Sequence, residues 1–224
     1  MSDLSNWKAP PFPPAKVLEG RYCRLEPLDV ARHGADIAAA FADAPDDLWA
    51  WLPTYKPEGR AAYEAFLAAT VTRTDIVPLA VVDRADGKAK GHLHIMEIRP
   101  AHGVFEVGSI TYSPSLQRTR AATEAIYLVG DYGFSLGYRR YEWKCNNRNE
   151  PSKRAALRYG YKYEGLFRQH MVVKARSRDT AWYSIIDGEW PARKAAFERW
   201  LAPENFDAQG RQKVSLAALN KAAA

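Results

Sequence analysis

The chain contains only two cysteines, and no apolar run reaches the roughly 20 residues that a membrane-spanning helix needs. Cys23 and Cys145 are too few for a disulfide framework and lack C-x-x-C spacing, so the pattern argues against a disulfide-stabilised domain and fits a reducing compartment. The first residues also lack the apolar centre of a secretory signal. We therefore expect a cytoplasmic protein without membrane contact, with both thiols in its core.

Internal repeats are absent, and the one compositionally biased segment is a proline-rich start with four prolines between residues 10 and 14. Proline fixes extended backbone, so residues 1–17 are predicted to form an extended arm. The remaining length suits one domain with a single core, predicted over residues 18–201. Residues 202–224 are predicted to be a weakly helical tail.

Acidic side chains are outnumbered, with 26 Asp and Glu against 32 Lys and Arg, and the formal net charge is +6. Such an excess favours anionic partners, among them a phosphorylated cofactor, nucleic acid or the ribosome surface. Charge alone does not choose among these partners. Part of the excess lies in the terminal segments, where a solvated tail is the simpler and preferred explanation.

Hydrophobic periodicity predicts strands and helices in alternation along the chain. The predicted order is a strand, two helices, a three-stranded meander, a helix of about five turns, one strand, one helix, a hairpin and a further helix. This order is typical of a mixed α/β (α+β) domain. We predict a central, mostly antiparallel twisted sheet of about seven strands flanked by helices.

The segment SLQRTRAATEA, residues 115–125, places two arginines and several small residues at the start of the long helix. A helix N-terminus has unpaired N–H groups and a partial positive charge, which together favour phosphate binding. Basic side chains are unusual at this end of a helix. The alternative is an ordinary helix start with two solvated arginines.

These residues, Gln117-Arg118-Thr119-Arg120-Ala121-Ala122 followed by TEA, resemble the Q/R-x-x-G-x-G/A acyl-CoA pyrophosphate loop of the GNAT N-acetyltransferase superfamily, in particular its RimJ/RimL-like branch. The flanking FEVGSITYSPSLQ and NEPSKRAALRYGYKYEG are also similar to that branch. The resemblance implies a GNAT fold that binds acetyl-CoA and no metal. It implies a set of cofactor-binding residues: Ile110, Tyr112, Gln117, Arg118, Thr119, Arg120, Ala121, Ala122, Asn149 and Ser152.

Arg120 stands where the family loop has its first glycine. Glycine there lets the backbone wrap the pyrophosphate. Either Arg120 points outward and adds a phosphate contact, or the site has decayed; we expect the first, because Arg118, Ala121 and Ala122 still suit an anion.

Acetylation of an amine needs a group that accepts the amine proton and a group that protonates the departing thiolate. Glu106 is predicted to be the base, since the resemblance places its strand face towards the acceptor; an ion pair with a neighbouring strand is the alternative. Glu142 is a second candidate for the base and an acceptor-binding residue. The family's usual tyrosine acid is replaced by Ala156. The resemblance to RimL-like relatives implies that Ser152 is the catalytic hydroxyl beside the sulfur, while helix capping by Asn149 and Ser152 is the alternative and both roles can hold together.

Trp49, Trp51 and His94 are predicted to contact the acceptor, because the resemblance places the segment before the second helix over the acceptor site. Plain packing of the tryptophans and a core position for His94 are the alternatives. His92 and His94 share a strand face but have no clear third ligand, so no metal site is predicted.

We predict an N-acetyltransferase that moves an acetyl group from acetyl-CoA to a primary amine, on a protein N-terminus or a small molecule, by direct attack in a ternary complex. The alternative is a non-catalytic GNAT-like module that binds CoA or docks on RNA or the ribosome. Nucleic acid is not an expected partner, because basic and aromatic residues do not interleave. The prediction leaves room for a homodimer.

Overall fold

Eight strands form one mostly antiparallel sheet in the computed structural model, which describes residues 3–222. The strands are β1 (Leu18–Glu19), β2 (Cys23–Pro27), β3 (Val77–Asp83), β4 (Ala89–Arg99), β5 (Val104–Tyr112), β6 (Arg140–Asn146), β7 (Lys162–Val173) and β8 (Arg176–Ile186). Their order across the sheet is β1-β2-β3-β4-β5-β6-β8-β7. The mixed α/β prediction is confirmed, and the strand beyond the expected seven is the two-residue β1.

Within the described residues, six α-helices cover the sheet: α1 (Val30–Ala40), α2 (Gly59–Val71), α3 (Arg120–Ser135), α4 (Glu150–Tyr159), α5 (Trp190–Leu201) and α6 (Leu216–Ala222). Local sequence sets several of their ends. Asp29 caps α1 by accepting a hydrogen bond from Arg32 N at 2.8 Å. Gly160 ends α4 with φ +92°, a conformation that glycine adopts without strain.

The two faces of the sheet carry separate apolar clusters. On one face, α3 and α5 pack against strand residues such as Leu79, Phe105 and Tyr141. On the other face, α1 and α2 pack around Phe41 and Ala80. Side chains alternate between faces along a strand, which explains why successive residues of β3 belong to different clusters.

Both terminal segments contact this body. The Tyr132 and Tyr138 hydroxyls donate to the carbonyls of Pro14 and Pro11 at 2.7 and 3.0 Å, which holds the proline-rich arm on the end of α3. Near the other end, Arg193 donates to Asn220 O at 2.6 Å and so ties α6 to α5. The division into arm, domain and tail stays a prediction.

Strands β5 and β6 separate partway along their length. They pair in parallel only where Val104–Glu106 face Arg140–Glu142, although β5 continues to Tyr112 and β6 to Asn146. Beyond Glu106 the β6-facing edge of β5 is therefore free of strand partners within residues 3–222. This separation positions the cavities described below.

Across the part of the chain that the structure describes, no helix combines the length and apolar composition that crossing a membrane requires.

Candidate functional site

Two cavities adjoin the separation between β5 and β6. The larger, with a volume of about 810 Å³, is lined by the start of α3, by α4 and by the segment after α5. We call it the basic groove, after Arg118, Arg120, Arg154 and Arg158. The smaller, of about 230 Å³, lies between β5, β6 and the loop after residue 50, and we call it the inner cavity. The start of α4 contributes to both, since Pro151 lines the basic groove and Ser152 the inner cavity.

The N-terminus of α3 opens on the basic groove. Thr119 caps the helix, and its Oγ1 accepts a hydrogen bond from Ala122 N at 3.1 Å. The preceding Arg118 has φ +63°, in the left-handed region. The N–H groups of Arg120 and Ala121, at the first two helical positions, have no intrahelical partner. The helix therefore offers backbone donors at a basic cavity, as the sequence predicts.

Arg120 lies between two aromatic rings. Its guanidinium carbon is 4.7 Å from the centroid of Tyr22 and 4.6 Å from that of Phe206. Stacking of this kind holds a guanidinium in place while its N–H groups remain available at the edges. Arg120 lines the basic groove, so its charge is held at the cavity and not turned into the core.

The other arginines of the basic groove are also free of carboxylates. Within residues 3–222 none of Arg118, Arg120, Arg154 and Arg158 forms an ion pair. Arg158 instead donates to Thr123 Oγ1 at 3.2 Å and lies 4.8 Å from the ring of Trp200. Four unpaired cations around one cavity suit a ligand with several negative charges.

The remaining predicted cofactor residues, apart from Ala121, divide between the two cavities. Tyr112, Gln117 and Ala122 line the basic groove, whereas Ile110 lines the inner cavity. The Gln117 amide donates to Tyr112 O at 3.1 Å and so joins the loop to the end of β5. Ala121 is buried in the core below the helix and does not line the groove.

Glu106 lies in the inner cavity with 2% of its surface exposed. Lys144 Nζ is 3.1 Å from its Oε2 and also donates to Glu97 Oε1 at 2.7 Å. Burial raises the pKa of Glu106 to about 7, and the neighbouring Lys144 charge opposes this rise. Glu106 thus forms the ion pair with a neighbouring strand, through Lys144 of β6, and its raised pKa still suits a base near neutral pH.

Gly108 leaves room for the Glu106 side chain. A Cβ at position 108 would lie 2.3 Å from Met96 Sδ and 2.9 Å from Glu106 Oε1. Any larger residue would displace the carboxyl, so glycine at this position keeps the inner cavity open.

The start of α4 presents Asn149 and Ser152 to the inner cavity. Asn149 Oδ1 caps the helix by accepting from Ser152 N at 3.1 Å. The Ser152 Oγ accepts a hydrogen bond from Trp143 Nε1 at 3.0 Å, which fixes the oxygen and leaves the hydroxyl proton to be donated. Capping is therefore one role of Asn149, and both side chains remain at the cavity.

Three residues that were predicted to contact the acceptor do not line the inner cavity: Trp49, His94 and Glu142. Trp49 is 3% exposed and packs on Phe41 and Tyr63 between α1 and α2, whereas Trp51 does line the cavity. The cause is a 3-10 turn over Asp46–Trp49 that directs Trp49 inward.

His94 and Glu142 likewise occupy structural positions. The His94 ring stacks on His92 at 5.5 Å, and burial lowers its pKa to about 4. Glu142 pairs with Arg99 and, at 2.8 Å, with Arg140. Neither lines the inner cavity, so the geometry does not support their predicted acceptor contacts.

The residues that line these cavities without having been indicated by the sequence pattern include Lys144, Cys145, Arg178 and Phe206. The first three lie on strands whose pairing with distant segments places them at the site. Arg154 and Arg158 carried a usable signal, because residues four apart share one face of a helix. Within residues 3–222 no group of three His, Cys, Asp or Glu side chains could hold a metal ion.

Comparison with known proteins gives consistent matches. The model of the acetyltransferase (GNAT) domain matches residues 24–162. A crystal structure of a GCN5-related N-acetyltransferase from Brucella melitensis is 49% identical with a TM-score of 0.95, covering 97% of this chain and 100% of that chain. A "probable acetyltransferase (GNAT family)" from Chromobacterium violaceum is 41% identical with a TM-score of 0.80, covering 86% and 96%.

Curated relatives match over shorter segments. The Bacillus subtilis protein YoaA, an uncharacterized N-acetyltransferase, is 34% identical over 107 residues, which are 47% of this chain and 60% of that protein. The chain spans less than two thirds of the length of the curated relatives it matches, with 58% and 60% covered. Ribosomal-protein acetyltransferases among the similar structures are 18% and 19% identical, which shows a shared fold alone.

Proposed function

This chain belongs to the acetyltransferase (GNAT) domain family, and on that premise we propose that it transfers an acetyl group from acetyl-CoA to a primary amine in a ternary complex. One observation carries the proposal. A groove with four unpaired arginines adjoins, at the separation of β5 and β6, a cavity that holds a buried carboxyl with a pKa near neutrality.

The basic groove fits the nucleotide part of acetyl-CoA. The pyrophosphate and 3′-phosphate of acetyl-CoA carry several negative charges. The groove offers four unpaired guanidinium groups to them, those of Arg118, Arg120, Arg154 and Arg158. The free N–H groups at the start of α3 add neutral donors for a phosphate. When bound, acetyl-CoA supplies the acetyl group as a thioester. Ile110, which lines the inner cavity on the unpaired edge of β5, would hold the arm that leads to the thioester.

Glu106 would accept the proton of the acceptor ammonium. An α-amine with a pKa of about 8 lies close to the value of about 7 for Glu106, whereas a lysine amine near 10.4 lies much further away. Lys144 holds the Glu106 carboxyl in position through their ion pair. This comparison of pKa values favours an α-amine over a lysine side chain as the acceptor.

Ser152 would donate a proton to the departing thiolate, since its oxygen is fixed by Trp143 and its proton remains free to be donated. In balance, the ammonium would give one proton to Glu106, and its nitrogen would then gain the acetyl carbon as the carbon–sulfur bond breaks. Ser152 would protonate the sulfur, and the second proton lost by the nitrogen would restore the Ser152 hydroxyl. No covalent bond to the protein is needed.

The non-catalytic alternative is less well supported. A module that only binds CoA or docks on RNA has no use for a carboxyl kept in a cavity at an energetic cost. Assignment to the RimJ/RimL branch and a cytoplasmic location remain predictions, as does a homodimer.

The test has two arms. Isothermal titration with acetyl-CoA should show one site, and the double variant Arg154→Ala/Arg158→Ala should bind at least about 10-fold more weakly. Arg168→Ala is the matched control, since Arg168 is an exposed arginine of β7 outside both cavities. Thiol release from acetyl-CoA should then depend on an added amine and fall in Glu106→Gln. Absence of acetyl-CoA binding in the parent protein would overturn the proposal.

A further inference from the structure

Arg178 is the one charged side chain of the inner cavity without a partner in residues 3–222. It lies on β8, opposite Met171 of β7, and lines the cavity together with Glu106. The other charges there are matched, because Lys144 contacts both Glu97 and Glu106. Arg178 forms no ion pair, and its buried Nε–H has no hydrogen-bond acceptor.

A half-buried guanidinium without an acceptor is costly, because it has given up water without gaining an anion. Burial accordingly lowers the pKa of Arg178, while Cys145 and Glu106 act in the opposite direction. A carboxylate is the group that guanidinium binds best in a planar, bidentate geometry. A ligand carboxylate in the inner cavity would therefore supply the anionic partner that Arg178 lacks within residues 3–222.

The rest of the lining is mostly apolar and limits the size of the ligand. The side chains of Trp51, Leu52, Met96, Trp143, Met171 and Val173 surround the polar groups. A volume of about 230 Å³ suits a small molecule with an apolar substituent.

We propose that the acceptor is a free amino acid with an apolar side chain, whose carboxylate binds Arg178 and whose amine is acetylated beside Glu106. The inference rests on the proposed acetyltransferase function and narrows its acceptor. It separates the two acceptor classes left open above, because the first residue of a protein carries an amide where a free amino acid carries a carboxylate.

The discriminating pair is phenylalanine and phenylalaninamide. The two differ in charge at one group, and the amide has the less basic amine, so chemistry alone favours acetylation of the amide. We expect the protein to prefer phenylalanine about 100-fold in kcat/KM, mainly through KM. Arg178→Gln should abolish this preference, mainly by raising the KM for phenylalanine. Arg176→Gln, an exposed neighbour on β8, is the matched control and should behave as the parent protein.

Binding is measured in parallel by titration of both compounds into the parent protein and Arg178→Gln, so that the readout does not depend on turnover. Arg178-dependent binding of phenylalanine without acetyl transfer would refute the proposed function and retain the inferred ligand. Equal use or equal binding of the two compounds by the parent protein would overturn the inference. An unchanged preference in Arg178→Gln, or no binding of either compound, would overturn it as well.

Discussion

Replacing Glu106 by glutamine should stabilise the protein at neutral pH while removing its activity. Glutamine keeps the shape of the side chain and has no charge to desolvate. Glu106 is 2% exposed, and burial raises its pKa from 4.5 to about 7. At about 1.4 kcal/mol for each pKa unit, this difference corresponds to about 3 kcal/mol of unfolding free energy.

The direction of the pH dependence follows from proton binding. Because the folded protein holds the Glu106 proton more tightly, the unfolded chain releases it first as the pH rises above 4.5. The Glu106 contribution therefore lowers the unfolding free energy between pH 4.5 and about 7 and is constant above that range. Glu106→Gln does not lose unfolding free energy in this way, because glutamine does not ionise.

The assay is urea unfolding of the parent protein and Glu106→Gln between pH 4.5 and 8, followed by tryptophan fluorescence. The difference between the two proteins isolates Glu106, since His92 and His94 titrate in both. It should grow by about 3 kcal/mol in favour of the variant as the pH rises, while Glu204→Gln, an exposed glutamate, should show no such trend. A difference that is independent of pH would refute the reasoning that Glu106 is buried with a raised pKa.

Three further predictions concern other parts of the molecule. Arg120→Ala should weaken acetyl-CoA binding about 10-fold or more in isothermal titration, because the stacked guanidinium is lost; unchanged affinity would remove it from the phosphate site. Gly133→Ala should destabilise the protein by about 1–3 kcal/mol in urea unfolding, because a Cβ there would lie 2.1 Å from the Phe105 ring; a variant as stable as the parent would contradict this packing. His92→Phe should reduce the loss of stability as the pH falls below about 6.5, because burial lowers the His92 pKa to about 3 and only the unfolded chain gains the proton; an identical pH profile would count against the buried neutral imidazole.

Local signals in the sequence account for much of the fold. The caps at Asp29 and Thr119, the stop at Gly160 and the period-two strands each depend on residues a few positions apart. Such features form wherever the chain adopts the local conformation, so they can be inferred without knowledge of the tertiary structure. Strand alternation fixes which face of β5 carries Glu106, and the family resemblance predicted that this face lies towards the acceptor.

Features that depend on contacts between distant segments could not be predicted from local sequence patterns. Trp49 and Trp51 are alike in the sequence, and only the 3-10 turn between α1 and α2 turns one inward and leaves the other at the cavity. His94 was predicted to face the acceptor, but Phe66 of α2 packs on His92, which in turn stacks on His94. Arg178 reaches the cavity through the pairing of β8 with β6 and β7, which no local pattern specifies.

The stack of Arg120 between Tyr22 and Phe206 joins an early and a late part of the polypeptide. During translation the N-terminal part leaves the ribosome first and can begin to fold before the rest. Phe206 and the bridge that it forms with Gln212 are synthesised only after every strand of the sheet. A nascent or prematurely terminated chain that stops after α5 would thus carry every strand of the sheet and still lack one wall of the basic groove.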